Sequence, residues 1–442
     1  MDYKETIDFL YVQLPMFSRD GASAFKKDLT NTLALCEALG NPQKKFKTIH
    51  VAGTNGKGSS SHMLAAIMQQ AGYKTGLYTS PHLYDFRERI RINGQLCSEA
   101  FVVRFVEQIM PELERIKPSF FEITVAMAFS YFAEQNVDIA IIETGLGGRL
   151  DSTNVIIPVL SLITNIGYDH MQFLGNTLQE IAAEKAGIIK ENGCVVIAED
   201  LPETRPVFEK TASKLNARIN FVSDLWSISI KEQPENNKAE KPLLTLSAHR
   251  VDQLAEDATY QLDLTGIYQQ KNLGGVLEAV HQLRQQGWKI GEKHLQEALK
   301  SVKQMTGLIG RWDQVLAEPW IITDVGHNVD GIKMILSQLD SMQFVHLHIV
   351  TGFVKDKDIA AALNLLPKNA QYYFTNAQIA RALQAEELQI MAAKIGLVGE
   401  AYGDVTKAIQ AANKRYQKGD LILVCGSVFL VAEVKGALEQ LQ

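Results

Sequence analysis

The 442-residue chain has four cysteines, Cys36, Cys97, Cys194 and Cys425, and no Cys-x-x-Cys pair. So few and so scattered, they exclude a disulfide framework and fit reduced core residues of a cytosolic protein. No apolar run approaches the ~20 residues that cross a bilayer. The start, Met1-Asp2-Tyr3-Lys4-Glu5, lacks the basic-then-apolar order of a secretory leader. A cytoplasmic protein with no membrane segment is therefore expected. Positive charge is not in excess: 44 Lys and Arg stand against 50 Asp and Glu, a net −6, so no nucleic-acid footprint is expected. Internal repeats and low-complexity stretches are missing as well. Nothing points to an obligate protein partner, and a monomer acting on small molecules is the expectation.

What is present describes a globular protein, 46% hydrophobic and 21% charged. Its length implies two or three domains. Continuous β-branched runs at 137–142, 159–164 and 194–198 alternate with helical patterns, the mark of an α/β fold with a mostly parallel sheet covered on both faces. Helices are expected within 1–45 and at 60–72, 99–116, 121–135 and 177–190. Further strands are expected through Val51 and at 75–78, with a hairpin-like region at 79–96. About 223–263 the character changes to β-like runs around a polar excursion, read as an exposed hairpin, before helices resume at 271–286 and 293–303. A second α/β series follows residue 305: strands at 319–324, 345–351, 371–375 and 421–425, with helices at 329–340, 358–365, 384–395, 404–416 and to 441. The expected domains are 1–304 and 305–442, with a ligand between them.

The stretch organising the chain is Gly53-Thr54-Asn55-Gly56-Lys57-Gly58-Ser59, between a β-prone run and a helical pattern. Glycines let backbone N–H groups converge on phosphate oxygens, the helix N-terminus adds positive potential, and Lys57 adds a full charge. The Walker spacing is not met, since Val51 stands where its first glycine would be and Gly58 precedes the first hydroxyl, so this is a variant phosphate loop. Glu143 ends a strand ahead of Thr144-Gly145-Leu146-Gly147-Gly148-Arg149-Leu150-Asp151, where ligands of open parallel sheets collect, and can hold Mg²⁺. His170, after the next strand, suits a metal or a phosphate. Ser80, in Thr79-Ser80-Pro81-His82, offers the same metal a hydroxyl or simply caps a turn. Lys185 lies among small and apolar residues on the 177–190 helix. A salt bridge to phosphates, a carbamate formed with CO₂ and a plain exposed lysine all remain open there. Gly310-Arg311 lies in the joint, positioned to reach phosphates across the cleft, and Asp324-Val325-Gly326-His327-Asn328 follows a strand of the second series. Gln269, Gln270 and Asn272 either bind a base or ribose or cap a helix. His346 and His348 read as structural.

Taken together, these stretches resemble the Mur ligase superfamily and, within it, the folylpolyglutamate synthase/dihydrofolate synthase family. The resemblance also rests on Asp169-His170, Glu184-Lys185-Ala186-Gly187-Ile188, Lys355-Asp356-Lys357-Asp358 and Gly426-Ser427, in order along nearly the whole chain. It implies a P-loop-containing central domain, a smaller Rossmann-like C-terminal domain, and ATP-dependent attachment of L-glutamate through an acyl phosphate. It also implies that Asn55, Gly56, Lys57, Gly58, Ser59, Asn272, Arg311 and Asp324 bind ATP. Ser80, Glu143, His170 and a carbamylated Lys185 would hold Mg²⁺ at two sites, with His327 at the reacting end. Phe120, Phe121, Leu150, Asp151 and Ser152 would line a pterin pocket. The acceptor is dihydropteroate, folates or both; the alternatives are polyglutamylation alone or another acid altogether. The chain departs from the family pattern at Val325-Gly326 and Val329, at Tyr268 where histidine is usual, and over Arg19–Lys26.

Overall fold

A computed structural model describes residues 1–16, 28–234, 242–252, 257–355 and 358–440. The Arg19–Lys26 segment, and Asp356 and Lys357 of the later motif, lie outside the described residues.

The first sheet has eight strands: β1 (Lys47–Ala52), β2 (Thr75–Tyr78), β3 (Ile90–Ile92), β4 (Gln95–Leu96), β5 (Ile139–Glu143), β6 (Leu160–Ile163), β7 (Cys194–Ile197) and β8 (Arg218–Phe221). Their order is β4-β3-β2-β5-β1-β6-β7-β8. From β2 to β8 every pairing is parallel, and β3 and β4 close one edge antiparallel. All five residues of β5 are buried, as a strand covered on both faces requires. One face packs Ile49, Val51, Ile139 and Ile141 against Met63 and Ile67 of the helix Lys57–Gln70 and Val276 of the helix Gln269–Gln285. The opposite face packs Ala140 and Ile142 against the helices Glu99–Ile116 and Phe120–Glu134.

Three details differ from the pattern. The first helix after β1 begins at Lys57 itself, three residues ahead of the expected 60, because left-handed Gly56 (φ 84°) sits at its N-cap. The helix expected at 177–190 ends at Ala186. There Gly187 lies so close to Arg149 that a Cβ would stand 2.4 Å from its Cα. The helix Arg205–Lys214 and strand β8 were not apparent in the pattern; β8 is an edge strand with one fully buried residue.

Where an exposed hairpin was expected, the described residues of 223–263 form a three-stranded antiparallel sheet, β9 (Trp226–Glu232), β10 (Leu244–Arg250) and β11 (Ala258–Leu262). It is fastened to the helix Gln269–Gln285 at buried Glu278. That carboxylate accepts from Trp226 Nε1 (2.8 Å) and Gln282 Nε2 (2.7 Å) and pairs with Arg250.

The third sheet contains β12 (Asp313–Leu316), β13 (Ile321–Asp324), β14 (Leu347–Thr351), β15 (Gln371–Thr375), β16 (Gly399–Tyr402) and β17 (Leu421–Cys425), ordered β12-β13-β17-β14-β15-β16. Only β12 runs antiparallel. The strand order reverses around β17, the kind of switch point at which open sheets collect ligands. β12 and β16 flank the sheet as edges and lack the continuous apolar runs that mark its centre.

Candidate active site

The C-terminal ends of β1, β5, β6 and β13 meet around a cavity of about 240 Å³. On its wall stand every nucleotide, metal and catalytic residue expected from the sequence: Asn55 to Ser59, Ser80, Glu143, His170, Lys185, Asn272, Arg311, Asp324 and His327.

The loop after β1 is held from beneath. Thr164 Oγ1 donates to Asn55 O (2.6 Å) and Asn165 Oδ1 accepts from Asn55 N (2.7 Å). Two close approaches require glycine: a Cβ on Gly53 would lie 1.8 Å from Thr164 Oγ1, and one on Gly56 would lie 2.2 Å from Asn272 Oδ1. Asn272 in turn donates to Gln269 Oε1 (2.7 Å), and Gln269 Nε2 donates to Ser59 Oγ (3.1 Å). The helix Gln269–Gln285 thus braces the loop by its first turn.

Lys57 folds back over the loop, its Nζ donating to Gly53 O (2.9 Å) and Thr54 O (3.2 Å). Burial pushes its pKa down, against the pull of Glu143 and Asp169. Lys185 is 2% exposed, which removes the exposed-helix reading. Its Nζ donates to the same Gly53 oxygen (2.9 Å). Burial and the neighbouring Lys57 charge bring its pKa down to about 7.

Glu143, 4% exposed, is raised to about 7 by burial although Lys57 and Arg311 oppose the shift. A buried carboxylate on a cavity wall favours a cation in front of it. Among the described residues no group of three or more His, Cys, Asp or Glu could hold a metal alone. Ser80, Glu143 and His170 stand on this same wall and offer two oxygens and an imidazole nitrogen, donors of types that a divalent cation takes.

Across the cavity, the third sheet engages the first. Asn55 and Asn328 exchange amide hydrogen bonds (3.2 and 3.1 Å). Asp169 Oδ2 accepts from His327 Nε2 (3.2 Å) and Asn328 Nδ2 (3.2 Å). Asp169, Thr164, Asn165 and Asn328 were quoted within motifs but given no site role from the sequence, whereas Gln269 was a candidate for base or ribose and is found bracing the phosphate loop. Asp169 beside His170 at a strand end was the one available signal. Arg311 reaches the phosphate loop: a Cβ on Gly58 would lie 3.4 Å from its Nη2.

Asp324 has both oxygens engaged. Tyr268 Oη (2.6 Å) and Trp312 N (2.9 Å) donate to Oδ2, and Gly326 N (2.8 Å) donates to Oδ1. Tyr268, standing where the family pattern has histidine, therefore spans from the first-sheet side to β13.

The five expected pterin residues are not on the cavity wall. Phe120 is buried, stacked on Tyr11 at 5.5 Å. Phe121 backs Gly145, whose Cβ would lie 2.4 Å from its Cζ. Asp151 accepts from Gly145 N (2.9 Å), Leu146 N (2.8 Å) and Thr153 N (2.9 Å), so its carboxylate is spent on the 145–147 turn. Leu150 and Ser152 flank it, half-buried. Phe121 and Asp151 thus adjoin the cavity through the 145–147 turn, which does line it.

Residues 51–280 match the Mur ligase middle domain, and residues 310–428 match the Mur ligase glutamate ligase domain. The dihydrofolate synthase/folylpolyglutamate synthase of Bacillus subtilis (strain 168) is 32% identical over 99% of both chains. The chain belongs to this family of Mur ligases. It is an ATP-dependent acid–amino-acid ligase. A solved structure of E. coli FolC in complex with DHPP and ADP superposes on the ligase with a TM-score of 0.84, at 26% identity, covering 100% of this chain and 98% of that one. The Yersinia pestis bifunctional folylpolyglutamate synthase/dihydrofolate synthase, complexed with AMPPNP and Mn ion, gives a TM-score of 0.82 at 26% identity, covering 99% and 98%.

Proposed function

We propose that the ligase adds L-glutamate both to dihydropteroate and to reduced folates, using ATP and a divalent cation. The observation that carries this reading is the single cavity uniting the phosphate loop, Glu143 and Lys185 of the first-sheet side with Arg311, Asp324 and His327 of the other. Asn55 to Ser59 hold the ATP phosphates, and Asn272 and Asp324 orient the nucleotide. Ser80, Glu143, His170 and a carbamylated Lys185 hold Mg²⁺ at two sites, which supply charge neutralisation between phosphates and the acceptor carboxylate.

The acceptor carboxylate attacks the γ-phosphorus, ADP leaves, and an acyl phosphate remains. The amine of L-glutamate then attacks the acyl carbon, phosphate departs with the bond electrons, and the nitrogen loses a proton. Carboxylate and polyphosphate repel, so Lys57 and Arg311 gather them and carry the negative charge that moves between them. His327, held by Asp169, stands at the reacting end. The pterin lies in a pocket lined by Phe120, Phe121, Leu150, Asp151 and Ser152, beside the 145–147 turn that Phe121 backs and Asp151 holds. In this reading residues 1–304 and 305–442 are the two domains and closure between them completes the site. The ligase works as a cytoplasmic monomer, without nucleic-acid or membrane partner; among the described residues no helix is long and apolar enough to cross a membrane.

The test is phosphate release from Mg-ATP with L-glutamate, comparing 7,8-dihydropteroate with tetrahydrofolate. Turnover with both is expected. Turnover with tetrahydrofolate alone leaves only polyglutamylation, and silence with both, from protein that binds ATP, overturns the assignment of substrate.

A further inference from the structure

The carboxylate of Asp151, which holds the 145–147 turn, is itself held by a chain that begins on β1 just ahead of the phosphate loop. Asp151 Oδ2 accepts from Gly145 N (2.9 Å) and Leu146 N (2.8 Å), and both residues line the cavity. Its Oδ1 accepts from Thr153 N (2.9 Å) and from the Thr153 hydroxyl. So many donors on two oxygens suit the ionised carboxylate, which accepts and cannot donate. The single hydroxyl proton of Thr153 is therefore spent on Asp151, and its Oγ1 has only lone pairs left to offer. His50 Nε2 stands 2.8 Å from that oxygen, so this nitrogen carries the proton and donates.

His50 is fully buried on β1, in register with Ile142 of β5 on the sheet face that the helix Phe120–Glu134 covers. Its sequence neighbours Ile49 and Val51 point to the other face. Burial and the Lys190 charge hold its pKa down at about 3, so the ring is neutral at any working pH. With the proton on Nε2 the other ring nitrogen is bare, and Nδ1 has no hydrogen-bond partner among the described residues. A buried imidazole with one nitrogen unpaired is a poor space-filler, since phenylalanine fills a similar volume without that penalty. What histidine adds is the Nε2–H. It fixes the Thr153 rotor, Thr153 fixes Asp151, and Asp151 fixes the turn.

We propose that His50 is a positioning residue for the acceptor: through Thr153 and Asp151 it sets the 145–147 turn beside the acceptor's ring system, without touching substrate itself. The proposal rests on the acceptor reading above and deepens it by naming what holds that turn in place.

The test is steady-state phosphate release by the full-length enzyme, varying in turn the acceptor (7,8-dihydropteroate, then tetrahydrofolate) and Mg-ATP. H50F keeps a ring and deletes the donor, while H50Q returns an amide N–H near the position of Nε2. For H50F the acceptor KM is expected to rise about tenfold, with kcat falling less and the ATP KM within about twofold of wild type. H50Q should regain most of the loss. Should H50F fail to fold, H50N gives the same comparison, because its shorter amide reaches only the position of Nδ1. T153V should raise the acceptor KM at least as much as H50F, and the H50F/T153V double variant should be no worse than T153V alone, since both break one chain. An unchanged acceptor KM in the donor-less variant, an H50Q as impaired as that variant, or acceptor and ATP KM rising together each overturns the positioning role and leaves the acceptor reading standing. If wild type turns over neither acceptor, the acceptor reading falls and the positioning role falls with it.

Discussion

Lys57 and Lys185 donate to one and the same acceptor, the carbonyl oxygen of Gly53, each at 2.9 Å. Two ammonium groups sharing one backbone oxygen repel each other, and neither has water enough to screen the repulsion. Lys185, the more buried, gives way and falls to about 7.

That shift has a defined sign. Below about pH 7 the Lys185 amine is charged in folded and unfolded chains alike, and burying the charge is fully unfavourable. Between about 7 and the ordinary value of 10.5 the unfolded chain holds more protons, so stability rises with pH across this window. Relative to Lys185→Met, wild type should therefore gain in urea midpoint from about pH 6 to about pH 9. A gap that stays constant refutes the shift.

A neutral amine is also the form that adds CO₂. Lys185→Ala is expected to be nearly inactive and to recover partly with a small added carboxylate in a phosphate-release assay. Full activity without any additive would sink the carbamate reading.

Lys57→Ala removes the main side-chain charge at the phosphates and a brace across the loop. A fall in kcat of about 10²- to 10³-fold is expected, comparable to deleting a preorganised electrostatic donor. Near-normal phosphate release would mean the loop does not bind the polyphosphate.

Gly56→Ala forces a Cβ to within 2.2 Å of Asn272 Oδ1 at a φ of 84°. ATP affinity, read by equilibrium titration, should drop about tenfold or more, combining steric overlap with backbone strain. Adding Asn272→Ala relieves the overlap but removes a nucleotide contact as well, so the double variant is compared with Asn272→Ala alone and should stay below it. A double variant equal to Asn272→Ala would show that the backbone conformation carries no strain.

Asp169 ties His327 and Asn328 to the first-sheet side. Asp169→Ala should lower kcat by about 10- to 100-fold while ATP affinity changes little, the split expected when closure rather than binding is damaged. Equal loss in both would make Asp169 part of the nucleotide site.

Much of this arrangement was legible because a parallel sheet converts strand order into a place for side chains. Glu143 and Asp324 could be assigned to strand ends facing a cleft, with Arg311 in the joint beside it, while Lys185 was placed there only by the family resemblance. Strands β5, β6 and β7 announced themselves as the continuous β-branched runs at 137–142, 159–164 and 194–198. Edge strands β8, β12 and β16 need no such run, so they passed unnoticed. Nor does sequence say which way a side chain turns. Lys57, expected at the phosphates, donates to two carbonyls of its own loop, and Asp151, expected in the pterin pocket, accepts from three backbone amides.

The small sheet pinned at Glu278 has a further meaning. None of its described residues lines the cavity, yet it grips the helix whose first turn sets Gln269 and Asn272 against the phosphate loop. It is ballast on the far end of a lever: substitutions at Trp226, Arg250 or Gln282 can tune how firmly the nucleotide seat is held, and with it the temperature at which the enzyme works best, while leaving every reacting group untouched.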